Sequence, residues 1–147
     1  MGTYDTLNDV LVNLFREINT IEEKAITSRE YKDLTNNDMH VINAIGVDSK
    51  KNMSSIAGEL SVTVGTLTIA VNSLVKKGYV ERSRSSRDRR VVLISLSEKG
   101  RKAYDYHKKF HEEMIQGVID TLDQEEMEAL IKALTKLTSW FRGFQEK

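Results

Sequence analysis

Residues 53–96 read MSSIAGELSVTVGTLTIAVNSLVKKGYVERSRSSRDRRVVLISL, and the change of texture at Gly78 decides the architecture. Before that glycine, Met53 to Leu60 and Val64 to Lys77 are two helical segments parted only by Ser61-Val62-Thr63. The Thr63 hydroxyl is placed to cap the second, and Gly78 to end it as the residue that tolerates a left-handed backbone. Beyond Gly78, Tyr79 to Arg82 and Val91 to Leu96 are short and β-branched, with a polar, arginine-rich connection from Ser83 to Arg90, which predicts a β-hairpin. Two short helices joined by a tight turn and followed by a basic hairpin make a winged helix-turn-helix, whose second helix is built to enter a major groove.

The second helix sorts its residues by face. Leu67, Val71 and Leu74 fall at i, i+4 and i+7 and belong to a core, which leaves Gly65, Thr68, Ile69, Asn72 and Lys76 facing out. Thr63 and Thr66, in the first turn, and Ser54, at the start of the preceding helix, offer hydroxyls suited to phosphate oxygens. Asn72 has the donor–acceptor pair that reads adenine, and the methyl-bearing sides of Thr68 and Ile69 suit thymine methyls. Each of these alone reads equally well as an ordinary surface residue; together they form one surface. The hairpin tip, Arg82 to Arg90, packs five arginines into nine residues, with Arg84, Arg87, Arg89 and Arg90 expected at phosphates or in an adjacent narrow minor groove. Asp88 stands two residues before Arg90, where a tight turn brings its carboxylate to that guanidinium.

Charge is distributed in the same sense. The 147-residue chain is formally neutral, yet residues 1–49 carry a net −5, residues 50–101 a net +7 and residues 102–147 a net −2. A basic middle between acidic ends is an electrostatic footprint for a polyanion confined to one part of the fold; the plainer reading is a solvated run of charge.

Outward from the basic middle the chain is helical. Leu7, Leu11, Leu14, Ile18, Ile21 and Ala25 step by three and four, and Met127, Leu130, Leu134, Leu137, Phe141 and Phe144 do the same at the other end. A helix opening at a Thr35/Asp38 capping box carries Met39, Val41, Ile42 and Ile45 and stops at Gly46; Ser97 caps a long helix running to about Thr121, and Asp123 with Glu126 opens the last one. The expected fold is mainly α with a small β-wing: a single domain over 1–147, with a winged-helix DNA-binding core at 34–101 and dimerisation helices at 1–33 and 102–147. The narrow seams of the two terminal helices predict a homodimer, the alternative being that they bury against each other within one chain.

Several function classes drop out. There is no cysteine, which excludes disulfides, thiolate chemistry and cysteine-ligated zinc, and no proline, which suits a helical chain. No run approaches a membrane span and the start lacks the parts of a secretory signal, so a cytoplasmic protein without membrane association is expected. No metalloprotease, P-loop, dinucleotide or serine-nucleophile pattern is present, and no enzyme activity, cofactor or resident metal is expected.

Ile56-Ala57 to Leu60, Thr66 to Thr68, Leu74 to Gly78, Arg87-Asp88-Arg89-Arg90 and Leu96-Ser97-Glu98-Lys99-Gly100, in this order, resemble the MarR family over nearly the whole chain. The resemblance implies a dimeric winged-helix regulator of bacterial transcription on a palindromic operator of double-stranded DNA, with Arg90 in a minor groove beside Asp88. Two positions depart from the family pattern: Ile69 stands where arginine is frequent, and the wing lacks the usual proline before Arg87. Ser28-Arg29, Lys32-Asp33, Met39-His40, Val62 to Thr66 and His107-Lys108-Lys109-Phe110-His111 further resemble the FabT branch, which represses fatty-acid synthesis genes. That branch implies an acyl chain on acyl carrier protein, or another small acyl ligand, as effector, with His40, His107 and His111 as candidate pocket residues. His107 and His111 are also spaced as metal ligands on one helix face. An alternative is therefore a zinc-responsive repressor in which His40, and Glu22 or Glu23, complete the set; a further alternative is a regulator of some other small molecule.

Overall fold

Wherever the sequence supplies a cap ahead of three-and-four apolar spacing, a helix forms. The computed structural model describes residues 2–26 and 30–145, with the side chain of Gln145 left out; Ser28-Arg29 of the family resemblance lies outside the described residues. In chain order the elements are α1 (Thr3–Ile26), α2 (Asn36–Ile45), β1 (Lys51–Asn52), α3 (Met53–Leu60), α4 (Val64–Lys77), β2 (Val80–Arg84), β3 (Val92–Leu96), α5 (Glu98–Thr121) and α6 (Gln124–Gln145). They form two compact units, Met1–Phe110 and His111–Lys147. No single helix among the described residues is long and apolar enough to cross a membrane.

The first unit is the winged helix. Ile42, Ile45, Ile56, Leu67, Val71, Leu74, Tyr79 and Ile94 lose essentially all solvent contact where α2, α3 and α4 meet the sheet. Each such aliphatic side chain contributes about 1.5–3 kcal/mol of burial before conformational entropy is counted. The α2 cap is reciprocal: Thr35 Oγ1 accepts from the Asp38 N–H and Asp38 Oδ2 from the Thr35 N–H, both at 3.0 Å. Asn52 Oδ1 caps α3 through the Ser55 N–H at 2.8 Å, and Thr63 Oγ1 caps α4 through the Thr66 N–H at 3.1 Å. The turn between α3 and α4 bends at Ser61, a non-glycine residue in the left-handed region at φ 55°.

The sheet is antiparallel in the order β1-β3-β2. Val80 pairs with Leu96, Arg82 with Ile94 and Arg84 with Val92. The hairpin ladder therefore extends through Ser83 and Arg84, which the sequence placed in the connection; backbone pairing persists although the side chains turn polar. Strand β1, unanticipated from sequence, pairs Lys51 with Ile94 and Asn52 with Leu93 and runs directly into α3.

The end of α4 is bolted in place from two sides. Lys77 Nζ donates to the Asp33 carbonyl at 2.5 Å and to Asp38 Oδ2 at 3.1 Å, while the buried Tyr79 hydroxyl donates to Asp33 Oδ1 at 2.7 Å. Burial first, then the Asp33 hydrogen bond, push the Tyr79 phenol above its usual pKa, so it remains a donor. On the other side, Ser97 Oγ donates to the Gly78 carbonyl at 2.6 Å and accepts from the Gly100 N–H at 3.1 Å, and the Ser97 N–H reaches the Tyr79 carbonyl at 3.0 Å. Gly100 passes so close that a Cβ there would lie 2.0 Å from the Tyr79 carbonyl oxygen. Lys99 Nζ lies 4.4 Å from the Tyr79 ring centroid.

Along α1, Leu7, Leu14 and Ile21 remain exposed, Leu7 at 54%. In the second unit the end of α5 leads to α6, opened by Asp123 Oδ1 accepting from the Glu126 N–H at 2.8 Å and Glu126 Oε1 from the Asp123 N–H at 3.1 Å. The α6 helix exposes Ile131, Leu134, Leu137, Phe141 and Phe144, with Trp140 stacked on Phe144 at 5.4 Å between centroids.

Candidate nucleic-acid interface

Burying Leu67, Val71 and Leu74 forces the other side of α4 outward. Gly65, Ile69, Asn72 and Lys76 are exposed as the sequence predicts, Ile69 at 74%, while Thr68 is half-buried. Two of the threonines carry structural duties. Thr63 Oγ1 donates to Thr66 Oγ1 at 3.0 Å besides capping the helix, and Thr68 Oγ1 donates to the Val64 carbonyl at 2.7 Å, which points its hydroxyl back along the helix. Ser54 is exposed at the start of α3.

The wing is held by a short set of bonds. The Ser85 N–H reaches the Val91 carbonyl at 2.9 Å, and the Val91 N–H reaches the Asp88 carbonyl at 3.0 Å. Asp88 does what its position predicts: Oδ1 accepts from both the backbone N–H and Nε of Arg90 at 3.0 Å, and Oδ2 from Nη2 at 3.1 Å. The two side chains thus form a fork, with the Arg90 side chain 91% exposed. The Arg90 side chain, then its backbone N–H, lower the Asp88 pKa, and Asp88 in turn raises that of Arg90. A preoriented guanidinium presented to solvent is suited to a groove lined with negative potential.

The remaining arginines differ in their commitments. Arg84 Nη1 donates to the Arg89 carbonyl at 2.8 Å, which ties the two sides of the tip together. Arg87 and Arg89 are exposed. Arg82, Arg84 and Arg89 line a hollow of about 600 Å³ with Ser83, Ser85 and Ser86. Lys50, whose Nζ lies 3.4 Å from Ser83 Oγ, adds positive charge that the site reading from sequence omitted.

One histidine stands apart from the other two. His107 Nε2 lies 3.0 Å from Glu22 Oε1, and both are buried, so the structure selects Glu22 as the acid facing α5. His111 follows one turn along the same helix and is half-buried. His40 does not join His107. It is exposed and lines a hollow of about 240 Å³ with Asn37, Val41, Leu60, Val62 and Thr66. Of the residues named for the alternative metal site, His40 is therefore the one set apart: α2 turns its apolar Met39, Val41 and Ile42 inward, and the intervening His40 faces the α3–α4 turn.

Residues 24–107 match the family described as transcriptional regulator SarA/Rot. The chain is 38% identical to Streptococcus pneumoniae FabT, solved in complex with DNA, with a TM-score of 0.90 and coverage of 96% of this chain and 99% of that one. It is 27% identical to the HTH-type transcriptional regulator PchR of Bacillus subtilis over 97% of this chain and 92% of that protein. It is 32% identical to the HTH-type transcriptional regulator SarZ of Staphylococcus haemolyticus over 73% of this chain and 71% of that protein.

Proposed function

Because the chain belongs to the SarA/Rot family of DNA-binding transcriptional regulators, of MarR/SarA type, we propose that it acts as a homodimeric repressor of fatty-acid synthesis genes, responsive to an acyl ligand. The observation that carries the DNA-facing part is the exposed face of α4, with Gly65, Ile69, Asn72 and Lys76, next to a wing whose Arg90 is preoriented by Asp88. In this reading α4 lies in a major groove with Asn72 on a base edge. Ser54, Thr63, Thr66, Thr68 and Lys76 contact the backbone or groove wall, and Arg84, Arg87, Arg89 and Arg90 engage phosphates and the flanking minor groove.

The exposed apolar rows of α1 and of α6 support the homodimer: each leaves large side chains in water that a second copy would cover, and two copies read a palindrome. The resemblance to FabT supports fatty-acid genes as the target. The apolar rows also provide the kind of surface an acyl chain, delivered on acyl carrier protein or free, would enter; His107 beside Glu22 of α1 offers a polar contact. Operation in the cytoplasm follows from this role.

Genome-wide recovery of DNA bound to the protein, from cells grown with and without added fatty acid, tests the reading. Enrichment of a palindrome upstream of fatty-acid synthesis genes, changing with fatty acid, is the expected result; enrichment elsewhere, indifferent to fatty acid, would refute the assignment of target and effector. Sub-micromolar binding to the recovered palindrome with a steep loss in salt would support the wing's contact with phosphates, and flat salt dependence would count against it.

A further inference from the structure

The wing tip sets three serines among its arginines, and the structure gives them different tasks. Ser83 is half-buried in β2 beside Lys50, at 3.4 Å. Ser85 is half-buried and holds the turn, its Oγ accepting from the backbone N–H groups of Arg87 at 3.2 Å and Asp88 at 3.4 Å. Ser86 is exposed, and its hydroxyl has no hydrogen-bond partner among the described residues. It lines the 600 Å³ hollow together with Arg82, Arg84 and Arg89, and Arg87 follows it directly. A hydroxyl without a structural duty, in water and flanked by guanidinium groups on both sides, is a substrate for an enzyme that recognises arginine through its own carboxylates. The same guanidinium groups are ready to hold the product.

We propose that Ser86 is a phosphorylation site that switches the wing off DNA. The modifying enzyme is an arginine-directed serine/threonine protein kinase using a nucleoside triphosphate. Ser86 Oγ forms a bond to the γ-phosphorus as the bond from that phosphorus to the bridging oxygen breaks; the nucleoside diphosphate leaves, and the hydroxyl proton passes to the kinase's base. The product carries about −1.5 to −2 charges and three acceptor oxygens. Placed in a hollow edged by Arg82, Arg84 and Arg89, it draws about two guanidinium groups into internal pairs, so a dimer loses about four DNA phosphate contacts. At about 0.9 in logarithmic salt slope per contact, that weakens binding about a thousandfold near 0.15 M salt and makes the slope shallower by about 3.6. DNA seated on the wing shields Ser86, so the free protein is the form that is modified. The effect on affinity rests on the DNA-facing wing proposed above; the acceptor assignment does not.

The test uses the full chain in two forms. In the first, the protein is treated with a purified arginine-directed kinase and ATP and the acceptor is mapped by tandem mass spectrometry; one phosphoryl group at Ser86, absent from Ser86→Ala, is expected. Phosphate on Ser83 or Ser85 with none on Ser86, or no incorporation, overturns the site. In the second, phosphoserine is installed at position 86 during synthesis, and its binding to the palindrome is compared with that of the unmodified protein across a salt series. Affinity and slope equal to the unmodified protein overturn the switch. An unmodified protein that does not bind DNA overturns the functional reading and the switch with it, while the acceptor map still decides the site.

Discussion

Replacing Gly100 by alanine tests the joint that carries the wing. The added Cβ would lie 2.0 Å from the Tyr79 carbonyl oxygen, 3.1 Å from its carbonyl carbon and 3.2 Å from Leu96 Cβ. Ordinary non-bonded contact is about 3.5 Å, so the start of α5 must retreat by more than about 1 Å. The obstacle is backbone at the junction of α4 and β2, which has no rotamer to change. Overpacking of this kind costs about 1–3 kcal/mol, and the displacement also breaks the bond from the Ser97 N–H to the Tyr79 carbonyl, worth about 1 kcal/mol. A loss of about 3 kcal/mol should lower the melting temperature by roughly 10 °C in a chain of this size. The assay is thermal unfolding by circular dichroism at one fixed protein concentration, so that the proposed dimerisation would contribute equally to every variant. Gly58→Ala is the control: beyond its chain neighbours and its own helix backbone nothing lies within 4 Å of its added Cβ, and helix propensity favours alanine by up to about 1 kcal/mol. If Gly100→Ala melts within about 2 °C of the wild type, the range of a neutral surface substitution, while Gly58→Ala behaves as expected, the close approach is not a constraint and the reasoning fails.

Three further outcomes follow from the interface. Asn72→Ala should narrow the gap between operator and random DNA by about 1–3 kcal/mol per half-site, measured by competition binding, because one bidentate base contact carries that much discrimination; an unchanged ratio removes Asn72 from base readout. Arg90→Ala should weaken operator and random DNA alike, about thirtyfold for a dimer near 0.15 M salt with a slope shallower by about 1.8, if each wing contributes one phosphate contact through it. An unchanged slope would mean that the exposed fork does not meet phosphate. The Asp88 fork has a defined acid limit. Arg90 lowers the Asp88 pKa, so the clamp is complete above the ordinary carboxylate value of about 3.9 and is lost only as pH falls through the lowered one. The Arg90 Nε–H resonance in NMR should stay constant from neutrality to about pH 4 and shift only below it, whereas a midpoint above that value contradicts the geometry.

What sequence could reveal depended on how local its cause was. Thr35, Thr63, Ser97 and Asp123 cap their helices through bonds spanning three residues, and all four were legible in advance. Asp88 and Arg90 were legible for the same reason, their spacing being two. Strand β1 was not, because Lys51 and Asn52 have no alternation of their own and become a strand only when Leu93 and Ile94, some forty residues on, offer an open edge. His40 was misplaced because its sequence neighbours determine that it sits on α2 but not which way the helix is turned; the burial of Met39, Val41 and Ile42 settles that. Asp33, Lys77 and Tyr79 form a joint across more than forty residues of chain, and no periodic pattern announces it.

Neutral net charge and a DNA-facing role are compatible because electrostatics in salt water is local. At physiological ionic strength the screening length is about 8 Å, so a phosphate at the wing senses the arginines of the tip far more than acidic residues on distant helices. Five arginines and a single acid between residues 82 and 90 therefore act as a dense cation whatever the rest of the chain carries. That density is costly to hold, since like charges repel, and the fold manages it with two short ties: Asp88 fixes Arg90, and the Arg89 carbonyl fixes Arg84. Neither tie removes an arginine from solvent; each narrows the conformations it must give up on meeting DNA. The same argument explains why the joint at Tyr79 matters. Preoriented arginines help only if the wing and α4 reach the duplex at a set distance from each other, and Gly78, Tyr79, Ser97 and Gly100 are where that distance is held.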